Sequence, residues 1–160
     1  MGFQVGDKVV HRSYGPGEIV QLDRKELSGQ SALYYVVKIR DLTLWVPATD
    51  NEEGNLRLPT PAAEFQRLFG ILTSPGEPLP EDRLDRKQKI NDLMKEGSLE
   101  SICHVICDLN LQQHTKKLND NDVQVMERAK QFLLSEWQLA FSVSPQQAEH
   151  ELHDLLNRGP

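Results

Sequence analysis

The sequence predicts an α+β protein of two domains, a small strand-built barrel followed by an all-α bundle of four to five helices. Between Phe3 and Pro47, three short runs rich in Val, Ile, Leu and Tyr are separated by Gly, Pro and charged clusters, the pattern of a small β module. After Thr60 the apolar residues recur at helical spacing instead. Within that second half, Ser74-Pro75-Gly76-Glu77-Pro78-Leu79-Pro80 interrupts the pattern with prolines and reads as a linker. These observations divide the chain into a barrel at residues 1–58, a connecting helix with a Pro-rich linker at 59–80, and a helical domain at 81–160.

The strands follow in order. Phe3 to His11 alternates apolar and polar residues up to Val5, turns at Gly6-Asp7 and resumes at Val9 and Val10. Gly15-Pro16-Gly17 is expected to reverse the chain, because Gly accepts positive φ and Pro presets its own φ. Glu18 to Leu22 is the return run. Asp23 to Gln30 is polar and reads as an exposed loop, and Leu33 to Ile39 has the aromatic and β-branched residues of a central strand. Asp41 marks a tight turn. In Leu42-Thr43-Leu44-Trp45-Val46-Pro47, alternation puts Leu42, Leu44 and Val46 on one face and Thr43 and Trp45 on the other, so Trp45 faces outward if the aliphatic side is the core. An outward Trp points to a binding surface, since Trp is enriched where interfaces concentrate their energy. Packing of Trp45 on the following helix is the competing account. Ala48 to Leu58 is a polar loop with room for a short last strand at Leu56–Leu58.

The helices are segmented by their caps. Thr60-Pro61 is expected to open the first, with Thr60 as N-cap, and Phe65, Leu68, Phe69 and Leu72 form one apolar stripe. This helix is expected to pack on the barrel or to join the two domains. The next runs from about Glu81 to Glu96, with Ile90, Leu93 and Met94 inward, and stops at Gly97. Ser98 caps a third, whose buried stripe is Leu99, Ile102, Cys103, Ile106 and Leu109. Asn119, with Asp122 three residues on, starts the longest, burying Val123, Met126, Phe132, Leu133 and Trp137 or its neighbours. Ser144-Pro145-Gln146-Gln147 opens the last, with Leu152, Leu155 and Leu156 as its apolar face.

Composition limits the function. The chain of 160 residues carries a net charge of -6, and no apolar run approaches the roughly 20 residues of a membrane span. The start lacks an apolar signal region, and Gly6 stands where a myristoylation signal has Ser or Thr, so neither export nor lipid anchoring is expected. Residues 1–72 hold 8 Lys+Arg against 9 Asp+Glu, and residues 73–160 hold 10 against 15, so the helical half is the acidic one. Strong non-specific DNA binding, which rests on clustered cations, is therefore disfavoured. The exception is Arg83, Arg86, Lys87, Lys89 and Lys95, set against Asp85 and Asp92. A solvated helix face with charge pairs accounts for such a run as readily as a phosphate contact does.

The phrase Val5-Gly6-Asp7-Lys8-Val9-Val10-His11, followed by Gly15, Gly17 and Leu44-Trp45-Val46-Pro47, resembles the RNA-polymerase-interacting module shared by bacterial CarD transcription regulators and transcription-repair coupling factors. The helical half resembles the CarD family as well, through Leu118, Asn119, Asp122, Met126, Ala129 and Lys130. The resemblance implies a Tudor-like or SH3-like barrel that docks on the RNA polymerase β subunit, and a helical domain that touches promoter DNA weakly, through the polymerase complex. It implies Lys25, Trp45, Arg24 and Thr43 at the polymerase contact, with Trp45 where some relatives present Arg. It places Arg83, Leu84, Arg86, Lys87 and Lys89 at the DNA, with Leu84 near the position where relatives wedge a Trp into the minor groove. Cys107-Asp108-Leu109 stands where relatives carry Arg-Asp-Leu. A cytoplasmic protein, associated with the nucleoid through polymerase, follows from the same resemblance. A protein-interaction adaptor that never touches DNA is the alternative from a different class.

Other chemistries find little support. Cys103 and Cys107 share a helix face, and with His104 and His114 they match no paired zinc-ligand spacing; small buried residues explain both. No Gly is followed by Lys, so there is no NTPase phosphate loop, which separates the chain from the ATP-driven coupling factors. No nucleophile elbow and no His-Glu-x-x-His motif occurs. The chain is expected to be non-enzymatic, with no metal, cofactor, small-molecule substrate or membrane partner.

Overall fold

The computed structural model describes residues 2–48 and 56–158. The chain splits into two compact units, Met1–Pro59 and Thr60–Pro160. Unit 1 is a five-stranded antiparallel sheet of β1 (Lys8–His11), β2 (Gly15–Leu27), β3 (Gln30–Ile39), β4 (Leu42–Pro47) and β5 (Leu56–Arg57), in the order β4-β3-β2-β1-β5. Its core gathers Val9, Ile19, Val37, Ile39 and Val46. Unit 2 holds a 3-10 turn (Ala62–Glu64) and α1 (Phe65–Leu72), α2 (Arg83–Glu96), α3 (Leu99–Thr115), α4 (Asp120–Phe141) and α5 (Pro145–Arg158). The α+β class and the order of its two parts are those the sequence predicts.

In unit 1 two turns differ from expectation. The first reversal lies at Arg12-Ser13-Tyr14, and Gly15-Pro16-Gly17 already belong to β2, paired with β1. His11 makes that reversal: its Nδ1 accepts the backbone N–H groups of Ser13, at 3.0 Å, and Tyr14, at 3.3 Å. Gly17 is needed for closeness rather than for turning, since a Cβ there would lie 2.5 Å from Ile39 Cγ1 and 2.7 Å from the Lys38 carbonyl oxygen. The expected loop over 23–30 is instead strand. β2 runs on to Leu27 and β3 begins at Gln30, joined through Ser28 and Gly29 at φ 53° and 76°. Two successive positive φ values suit the tight hairpin connection whose twist matches the strands, which lets a polar ladder continue past the core. The polar loop expected over 48–58 lies largely outside the described residues.

In unit 2 the N-caps at Ser98, Asn119 and Ser144 accept the amides of Ser101, Asp122 and Gln147, and Gly97 ends α2 in the left-handed conformation, all as the sequence predicts. Thr60 is not a cap. The first turn is 3-10 with Pro61 before it and no side-chain cap, while the Thr60 amide donates to Glu136 Oε1 of α4 at 3.1 Å. α1 and the Pro-rich stretch belong to the helical unit rather than to a linker. Phe65, Leu68, Leu72 and Leu79 lie in its core, and Phe65 and Phe69 ring-pack with Trp137 and Phe141. The prolines reduce the number of backbone donors, and the Glu77 amide donates to Asp108 Oδ1 at 2.9 Å. Gly76, at φ 80°, lies so close to α3 that a Cβ would meet the Cys107 carbonyl at 2.9 Å. From Leu99 to Leu109, α3 is buried nearly all round, as a helix segment central to a bundle must be. On α4 the inward residue is Val125, and Val123 is exposed, contrary to expectation.

Candidate functional site

β4 pairs with β3 on one side and ends the sheet on the other among the described residues, so it offers an edge for strand addition. The register opposes Trp45 to Val36, and Val36 to Gln21, which sets these on one sheet face. Asp23 and Lys25, two and four residues beyond Gln21 on β2, share that face. Trp45 is 45% exposed, as the alternation of β4 predicts, although Leu42 at the strand's start is exposed too and does not join the core.

The structure brings Lys25 and Trp45 together. The Lys25 ammonium lies 4.5 Å from the indole ring centroid, a cation–π contact. The indole Nε1–H donates to Asp23 Oδ2 at 3.4 Å. Thr43, opposite Lys38, is exposed on the same face two residues before Trp45. Arg24 is not brought to this cluster. It alternates to the other face, opposite Leu33, and its Nη1 donates to Ser31 Oγ at 3.5 Å. Asp23 escapes sequence reasoning because the segment reads as a loop; the signal that would have found it is the alternation of Gln21, Asp23 and Lys25.

The cationic run of α2 separates into three settings. Asp82 caps the helix by accepting the Asp85 amide at 3.0 Å, which fixes its phase. Arg86 then points inward, 8% exposed, with Nε 3.5 Å from Asp122 Oδ2 of α4. As a phosphate contact it is corrected by this burial: its guanidinium is tied to a carboxylate inside the bundle. Lys89 lies on the opposite flank, 3.9 Å from Glu77 Oε2. Arg83 and Lys87, one helical turn apart, are exposed on one flank together with Leu84, the most exposed large apolar residue described, at 74%.

The cysteines are buried, Cys107 donating its thiol to the Ile71 carbonyl at 3.1 Å. Burial, and the neighbouring Asp108 after it, pushes the Cys107 thiol up to about 11, and burial raises Cys103 as well. Both are therefore thiols near neutrality and poor nucleophiles. Among the described residues no group of three or more His, Cys, Asp or Glu is placed to hold a metal ion. No helix among them is long and apolar enough to cross a membrane.

A two-part chain of this kind, an antiparallel β module presenting an aromatic edge followed by a five-helix unit, matches known families over both parts. Residues 3–58 match the CarD-like/TRCF RID domain, and residues 67–153 match the CarD C-terminal domain. The chain belongs to the CarD family of transcription regulators. It is similar to the protein named "Putative transcription factor YdeB" of Bacillus subtilis (strain 168), 28% identical over 151 residues that cover 91% of this chain and 96% of that relative.

Proposed function

We propose that the chain is a non-enzymatic regulator that docks on the RNA polymerase β subunit through the β4 edge and alters the stability of the open promoter complex through α2. The observation that carries the reading is the terminal position of β4 with Trp45 and Lys25 joined beside it. An added partner strand would supply main-chain hydrogen bonds to the edge, and Trp45, Lys25 and Thr43 would select the partner. Arg24, on the other face, would stand outside that contact. Polymerase then holds the protein at the promoter, so the α2 contact need only be weak. To shift the closed-to-open equilibrium it must be made better in one state than in the other. Arg83 and Lys87 serve as phosphate contacts and Leu84 as the apolar element facing the minor groove.

The test pairs two measurements on the full chain. Purified β fragments are expected to bind it and to bind Trp45→Ala more weakly. No binding by the wild-type chain overturns the docking. With polymerase and promoter present, the protein is expected to change open-complex lifetime and to extend upstream protection in a footprint, and Arg83→Ala with Lys87→Ala to remove both. The inward turn of Arg86 and the Glu77 partner of Lys89 favour a second reading, an adaptor without DNA contact. Polymerase binding with an unchanged footprint and unchanged lifetime would decide for it.

A further inference from the structure

We infer that Asp23 is a positioning residue for Trp45, and that Asp23, Trp45 and Lys25 form a platform assembled before any partner arrives; its role in docking rests on the reading above. A half-exposed Trp on an edge strand ordinarily samples several rotamers, and ordering it on binding costs affinity. Here two contacts from β2, one strand removed from β4, constrain the ring from different directions. The indole has a single donor and no acceptor, and that donor is directed at Asp23 Oδ2, 3.4 Å away, which fixes the ring edge. The Lys25 ammonium over the ring, 4.5 Å from its centroid, marks one face.

The sheet makes this possible. β2 and β4 are separated by β3, a lateral distance of roughly 9.6 Å from two strand spacings, within the combined reach of an indole and a short carboxylate. The intervening residue at the level of Trp45 is Val36, on the same face and only 5% exposed, as expected with an indole beside it. Asp23 and Lys25 can both serve because β2 continues as strand beyond the core, which puts residues two apart on one face. Were the segment the loop its composition suggests, neither side chain would have a fixed direction. Two side chains of opposite charge on β2 thus hold one aromatic ring on β4, leaving the β4 backbone edge to the partner.

The chain has two tryptophans, so two indole N–H resonances report separately in solution, Trp137 being bonded to Glu151 Oε1 at 3.1 Å. With no partner present, Asp23→Ala is expected to move the Trp45 resonance and raise its quenching by acrylamide, and Asp23→Asn, which keeps an oxygen acceptor, to restore much of both. An unmoved Trp45 resonance in Asp23→Ala overturns the inference. With the β fragment, Asp23→Ala is expected to weaken binding about two- to tenfold, the scale of one partly exposed hydrogen bond, and to have no further effect in a Trp45→Ala background. An equal loss in both backgrounds means that Asp23 acts without Trp45 and also overturns it. Wild-type affinity in Trp45→Ala instead removes Trp45 from docking, and the indole resonance still decides whether Asp23 holds the ring.

Discussion

The two units treat their candidate residues in opposite ways. In the β unit, two of the side chains expected at a partner contact stay on the surface and are drawn together, Lys25 lying on Trp45, with the unexpected Asp23 accepting from the indole N–H. In the helical unit, the cationic run is divided by the fold. Arg86 is taken inward to Asp122 and Lys89 lies by Glu77, leaving Arg83, Lys87 and Leu84 together on one flank. A strand displays alternate residues on one face over its whole length, so a binding surface assembles by register alone. A helix turns its surface through 100° per residue, so a run of charges is dealt out to all sides, including the core. A cationic run in a helix therefore says less about a ligand than a shorter set of alternating residues in a strand.

The largest expected effect tests that division directly. Arg86→Met leaves Asp122 buried without its cation and should cost the helical unit roughly 3–5 kcal/mol, read as a lowered midpoint in denaturant. The double variant Arg86→Met with Asp122→Leu should recover most of the loss, because an apolar pair replaces the ion pair. If Arg86→Met keeps the wild-type midpoint but loses DNA contact, Arg86 belongs to the surface set and the contrast between the units breaks. In the β unit, Gly17→Ala places a Cβ against both the buried Ile39 side chain and the Lys38 backbone carbonyl, and overpacking of this kind costs about 1–3 kcal/mol. Its effect should be confined to the sheet's unfolding signal.

Acidity should separate the units further. Burial holds the His11 imidazole below its ordinary value of 6.5, and its Nδ1 accepts two backbone amides only while unprotonated. The unfolded chain then binds a proton more readily than the folded one. His11 thus contributes stability that is present above pH 6.5 and is lost as pH falls through its lower folded value. Asp108 has the opposite sign. Burial raises its carboxyl above 3.8, against the lowering effect of the Glu77 amide, so its contribution is present below 3.8 and is lost as pH rises through the raised folded value. Between pH 7 and 5 the sheet should lose stability, measured by unfolding followed on its own amides, and His11→Gln should flatten that slope. A slope of the same size in the variant would assign it to another group.

Much of this organisation is legible in the sequence, and the gaps have physical causes. The caps at Ser98, Asn119 and Ser144 are local signals, set by residues three apart, and each lies where its motif places it. The outward direction of Trp45 follows from period two. The segment 23–30 misleads because its residues are polar for a reason composition cannot distinguish: they belong to strands that extend past the core and meet solvent. The Pro-rich stretch misleads similarly. Its prolines signal a break in helix, but only packing shows that Leu79 returns to the core and that Asp108 accepts the Glu77 amide. Arg86 was invisible as a core residue, since nothing local pairs it with an acid 36 positions away.

The smallest expected change in stability falls on Leu84. A side chain 74% exposed loses little by truncation, so Leu84→Ala should leave the unfolding midpoint within about 0.5 kcal/mol of wild type. Its exposure beside Arg83 and Lys87 then becomes informative, because a large apolar residue left in water gains by contact with a surface that is less polar. In the promoter complex, Leu84→Ala should bring open-complex lifetime toward its value without the protein, while Leu84→Trp, a larger wedge, should move it the other way. If lifetime is unchanged in both variants while β-subunit binding persists, the helical unit makes no wedge. Its one assembled flank would then be a solvated helix face, and the β edge would carry the recognition alone.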